Sequence, residues 1–169
     1  KAHSAQRGSG QGMKFITKGD VEAPTDFVFD DMTDYEGWEA TVRKRNTQLV
    51  RAPGPVIPGT TWNAKFHLRG RDRDMTVTLL SETPESQILL AIGDSSIDVD
   101  VSADLVALGP QKSRVAVTIN LRPRNLAARL LTQSLRLART NIQHQLDWRI
   151  AAWAEDLSRS YAKSQQGAK

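Results

Sequence analysis

Apolar and polar residues alternate along much of the middle of this chain, and the alternation sets its architecture. Trp62, Ala64, Phe66 and Leu68 alternate with Asn63, Lys65, His67 and Arg69, the period of a half-buried strand. The same period recurs at Met75, Val77 and Leu79, at Ile97, Val99, Val101, Ala103 and Leu105, and at Val115, Val117, Ile119 and Leu121. Gln87 to Ile92 reads as a further strand between Glu82 to Ser86 and Gly93 to Asp94, and Met13 to Val21 as an opening one. Thr41 to Arg51 reads as the second strand, stopped by the Pro53 to Gly59 loop, whose prolines cannot continue a ladder. Turn signals at hairpin spacing separate these runs and predict an antiparallel meander.

Two helical regions bracket the strands. Ala23 and Pro24 end the first strand, and Thr25 is the expected N-cap of a short helix with an apolar stripe of Phe27, Val28 and Met32. Tyr35, Gly37 and Trp38 suggest a second short helix ending near Glu39. After Pro123 the period changes to a helical one, from about Asn125 to Tyr161, with neither Gly nor Pro inside. One long helix of roughly 50 Å, straight or kinked, is expected there. Leu131, Leu135, Ala138, Ile142, Leu146, Trp153 and Leu157 fall on one arc of it, and Leu126, Leu130, Leu137, His144 and Trp148 on another. The first arc is expected to face the sheet, the second a cavity or the short helices. Periodicity alone therefore gives an α+β chain: a strand, two short helices, six strands and a long C-terminal helix.

Composition narrows the chemistry. The 169 residues, 39% of them hydrophobic, suit one domain. No apolar run approaches the roughly 20 residues of a membrane span. Residues 1–12 are polar and read as a disordered leader or tag remnant, residues 13–162 as the single domain and residues 163–169 as a flexible tail. With no cysteine, no secretory pattern and three histidines, a cytoplasmic address is expected, and no metal site or cofactor. The net charge of +4 is unevenly placed: residues 122–169 carry +6 and the rest −2. Arg122, Arg124, Arg129, Arg136 and Arg139 follow one another with no acidic residue between. They form either a solvated helix face or a docking surface for a transient partner, an anionic membrane. Nucleic acid is not expected, since no recognisable module accompanies the charge.

Several motifs carry a resemblance. The run Asp20-Val21-Glu22-Ala23-Pro24-Thr25-Asp26-Phe27-Val28-Phe29, followed by Asp34 and Trp38, resembles the opening of START-like proteins of the SRPBCC superfamily. Pro58-Gly59-Thr60-Thr61-Trp62 resembles the start of their third strand, Leu108-Gly109-Pro110 their last hairpin, and Leu121-Arg122-Pro123-Arg124 their passage into the final helix. The resemblance implies a helix-grip fold, a curved seven-stranded antiparallel sheet wrapped round the C-terminal helix with a cavity between. It also implies binding of lipids, sterols, polyketides, quinones or plant hormones, or in a minority of members cyclisation, aromatisation or dehydration.

The inward strand faces are apolar, and Trp62, Phe66, Met75, Leu90, Val99 and Val117 are the expected ligand wall, or else plain core. Asp98, Asp100 and Asp104 fall on the outer face. From the helix, Leu137, Asn141, His144 and Trp148 are expected to complete the site, with His144 the candidate general base near neutral pH. The alternative for His144 is a surface or backbone-bonded histidine. Arg43 and Arg45 are candidates to hold an anionic head group at the mouth, and Val56 and Ile57, apolar at a loop tip, are candidates for a lid. Three readings follow. The first is a cavity that binds a small hydrophobic ligand. The second is a polyketide cyclase or dehydratase working through His144, and the third a filled module docking by its basic helix.

Overall fold

A computed structural model describes residues 12–168. The chain runs β1 (Met13–Val21), α1 (Thr25–Met32), α2 (Tyr35–Arg43), β2 (Gln48–Arg51), β3 (Thr61–Leu68), β4 (Arg71–Thr83), β5 (Gln87–Gly93), β6 (Ile97–Gly109), β7 (Lys112–Pro123), α3 (Leu126–Leu137) and α4 (Arg139–Gln166). All seven strands join one antiparallel sheet in the order β1-β7-β6-β5-β4-β3-β2, so only the β1–β7 pairing departs from a hairpin meander. This is the α+β helix-grip arrangement, with the long C-terminal helix laid after and against the sheet. Register shifts at Leu79/Ser81 in β4 and Ala107/Gly109 in β6 mark β-bulges, which bend and twist the longest strands.

The period-two pattern lands on the expected faces. Trp62 and Ala64 of β3, Met75 and Leu79 of β4, and Ile97 and Leu105 of β6 are buried. The main core joins Val21, Val28, Phe29, Leu79, Leu105 and Val115 to Ile150, Ala154 and Leu157 of α4. A smaller cluster of Met75, Ile97 and Ala128 lies under α3, with Phe66, Val99 and Leu131 packed on it. On the other face of the sheet, Asp98 and Asp100 pair with Arg124 and Arg122, and Asp104 accepts from Gln87.

Four local expectations need correction. Pro24, not Thr25, occupies the N-cap of α1, and no side chain caps it; the Thr25 hydroxyl instead donates to Glu85. Thr41 to Arg43 continue α2 rather than opening β2. Asp34 caps that helix by accepting from the Gly37 N–H, and Glu39 and Arg43 pair one turn apart, so helical signals outweigh the β-branched Thr41 and Val42. The long helix is two, parted at Ala138. The Ala128 and Thr132 face of α3 serves the small cluster while the Ile150, Ala154 and Leu157 face of α4 serves the main core, and one straight rod cannot meet both. Finally, α4 runs on to Gln166, past Tyr161. The leader expected over residues 1–12 lies outside the described residues except for Gly12.

β1 and α4 lie close together. Gly19 makes this possible, since a Cβ there would stand 3.0 Å from the Ile150 side chain and 3.3 Å from Ala154 Cβ. Along the outer edge of the strand, Arg136 donates to the Gly12 carbonyl, Arg139 to that of Lys14 and Gln143 to that of Ile16. Further on, the Glu22 N–H donates to the Ser158 hydroxyl. The helical side chains thus take the place of a neighbouring strand.

Candidate functional site

Between the inner face of the sheet and α4 lies a cavity of about 700 Å³. Its sheet wall comes from alternate positions of three strands: Ile88 and Leu90 of β5, Val101 and Ala103 of β6, and Val115 and Val117 of β7. Period-two alternation puts these six apolar side chains on one face. α4 contributes Leu146, Ile150 and Trp153 from the opposite side. Met32 of α1 closes one end, and α2 supplies Tyr35, Trp38, Thr41 and Val42.

The polar groups on this wall are engaged. The Thr17 hydroxyl donates to Asp147 at 2.6 Å, and Gln143 donates to the same carboxylate at 2.9 Å. The Thr17 bond first, then that of Gln143, holds the Asp147 carboxyl below its ordinary range, with His144 adding a smaller attraction. The Tyr35 hydroxyl donates to Glu82; burial, then this bond, push its pKa well above the ordinary phenol. Tyr35 therefore stays neutral and leans on Trp62 at a centroid distance of 5.9 Å.

At the mouth the lining changes character. Trp38 and Trp148 are exposed, and beside them stand Thr41, Arg45, Arg149 and Asp156. Trp38 and Trp153 share an anchor on α1: the first donates to the Asp31 carbonyl at 3.1 Å and the second to its carboxylate at 2.8 Å. Asp156 is paired with Arg159. Among the described residues the guanidinium groups of Arg45 and Arg149 have no carboxylate within pairing distance.

Of the ten side chains expected to form the ligand wall, Leu90, Val117 and Trp148 line this cavity. The others do not. Trp62 is buried core, its indole N–H donating to Glu39 at 2.9 Å. Phe66, Met75 and Val99 belong to the small cluster under α3. Leu137 sits at the end of α3, 93% exposed, and Asn141 and His144 are exposed on α4. Of the arc Leu126, Leu130, Leu137, His144 and Trp148, the first four face solvent and only Trp148 reaches the cavity, at its mouth. An exposed His144 has no enclosed volume in which to act as a general base. Val56 packs on the main core and Ile57 is exposed, and neither lines the cavity, which α2 borders on that side instead. Arg45 does stand at the mouth, whereas Arg43 turns to Glu39 and the Leu49 carbonyl.

The strand expected over Thr41 to Arg51 hides the α2 contribution, because Thr41 and Val42 belong to the helix. A signal exists: Tyr35, Trp38, Val42 and Arg45 are spaced by three, four and three, which is one helical face.

No protein-family model and no curated protein matches the sequence. Solved structures do match the fold. The Zhui aromatase/cyclase of Streptomyces sp. R1128 superposes with a TM-score of 0.60 at 13% identity, covering 85% of this chain and 94% of that one. A norcoclaurine synthase variant of Thalictrum flavum gives 0.60 at 10% identity over 86% and 95%. A START superfamily protein of Mycobacterium smegmatis gives 0.54 at 11% over 81% and 96%. The chain thus shares the fold of these structures, a START-like one.

Proposed function

We propose that this protein binds a small hydrophobic ligand, lipidic, quinone-like or polycyclic, in the cavity between the sheet and α4. The observation that carries the reading is the cavity itself, whose volume of about 700 Å³ falls within the roughly 300–1,000 Å³ of ligand sites. Its wall is almost wholly aliphatic and aromatic, so burial at about 25 cal/mol per Å² is the main source of affinity. Arg45 and Arg149 at the mouth suit a ligand with an acidic group at one end, left near water while the apolar body lies inside. The fold neighbours support the reading by analogy only, since one framework hosts both binding and catalysis.

The test is a titration of delipidated protein with palmitate, a short-chain quinone and anilinonaphthalene sulfonate, followed by tryptophan fluorescence from Trp38, Trp148 and Trp153. Saturable binding is expected, and Ala103→Trp, which fills the cavity from β6, should weaken it at least about tenfold while the fold is retained. Saturable binding to none of the three, or full affinity in the filled variant, overturns the reading.

A further inference from the structure

We propose that α3 is a docking surface for anionic phospholipid membranes. Leu126, Leu130 and Leu137 recur at spacings of four and seven, one face of the helix, and they are 70%, 60% and 93% exposed. The opposite face holds the helix to the domain through Ala128, Thr132 and Leu131. The leucines are therefore not core positions left partly open; they form an apolar stripe turned fully outward.

Charge tells what covers the stripe. Arg129 and Arg136, seven residues apart, run along one edge of it, and α3 contains no acidic residue. On the other edge lies Ser134, which accepts from the guanidinium of Arg69 at 3.1 Å. Arg69 comes from the tip of the β3–β4 hairpin, so cations from two separate elements flank the same leucines. Arg136 donates to the Gly12 carbonyl, which ties this edge of α3 to the start of β1.

A leucine stripe between rows of guanidinium groups fits the boundary between acyl chains and phosphate head groups: the leucines enter the apolar layer and the arginines meet the phosphates. A protein partner would need matching carboxylates around a leucine-sized groove; the outer face of this chain's own sheet has its carboxylates on Arg122 and Arg124. The surface is separate from the cavity, to whose lining α3 contributes nothing.

The test is cosedimentation of the full chain with vesicles of phosphatidylcholine alone and of phosphatidylcholine mixed with phosphatidylglycerol. Binding is expected only with phosphatidylglycerol, weakened about tenfold or more by salt near 0.5 M. The exposed triple variant Leu126→Gln, Leu130→Gln, Leu137→Gln should lose about tenfold or more, as should Arg69→Gln with Arg129→Gln. Because the chain has no cysteine, Leu137→Cys carries a single environment-sensitive dye, whose emission should shift to the blue on the anionic vesicles. No binding to phosphatidylglycerol, binding untouched by the leucine substitutions, or an unshifted dye overturns the proposal. So does a dimer in sedimentation that the leucine substitutions dissolve, for then a second copy covers the stripe.

Discussion

Glu39 is the residue on which the junction of α2 with the sheet depends. Its carboxylate is buried, accepts from the Trp62 indole at 2.9 Å and pairs with Arg51 at 3.1 Å. Substituting Glu39→Leu leaves an indole N–H and a partly shielded guanidinium without an acceptor, which should cost about 2 kcal/mol and lower the urea midpoint. Three other carboxylates set the acid limit. Asp20 is held below its ordinary range chiefly by the bond from Arg114, and Asp147 by Thr17 and Gln143. Burial raises Asp94, but the bonds from Ser96 and Ile97 outweigh it, and Arg73 adds to them. Each has a lower pKa folded than unfolded, so the folded chain binds fewer protons. The stability they add is complete above the ordinary carboxylate range and is lost as pH falls through the folded values. Urea midpoints should be flat above about pH 5 and fall below about pH 4, and Asp94→Asn should make the fall shallower.

At the scale of elements, the strands were legible and the helix ends were not. Period-two runs such as Val115 to Leu121 have one interpretation once turn residues bracket them, and each became a strand on the expected face. The division at Ala138 has no local marker, because neither Gly nor Pro stands there and Ala is the best helix former. It follows from two apolar faces that must pack against different parts of one sheet, and this is tertiary information. The residues of the cavity were legible only in part, at Leu90 and Val117 on the strands and Trp148 on the helix: period two gives the inward face but not which stretch of it borders the cavity, so Trp62, Phe66, Met75 and Val99 proved to be core, and Leu137, Asn141 and His144 lie exposed. The contact of β1 with α4 makes a sharp test. Gly19→Val places branched carbon where Ile150 and Ala154 already crowd the backbone, and should cost about 2 kcal/mol or more by displacing α4. Chemical denaturation measures the loss, and amide exchange along β1 should rise with it.

For the whole molecule, one curved sheet and one helix leave space that the chain's own side chains do not fill, and occupancy of that space should be visible in global stability. A ligand present at a hundredfold excess over its Kd adds about 2.7 kcal/mol, which for a chain of this size raises Tm by roughly 5–11 °C. Scanning calorimetry with and without the ligand found in the titration checks this. The shift should vanish in Ala103→Trp, which keeps the fold but not the space.

The row of helical side chains along β1 has a consequence for how these molecules behave in a crowd. An unoccupied strand edge is a template on which another chain can add, and a sheet open at both sides can grow without end. Arg136, Arg139 and Gln143 occupy the carbonyls on one side, and the strand at the other, β2, is only four residues long. The barrier to fibril growth is therefore a reversible one on the β1 side. Any change that lifts α4 also bares a nine-residue strand, so loss of stability and onset of aggregation should arrive together.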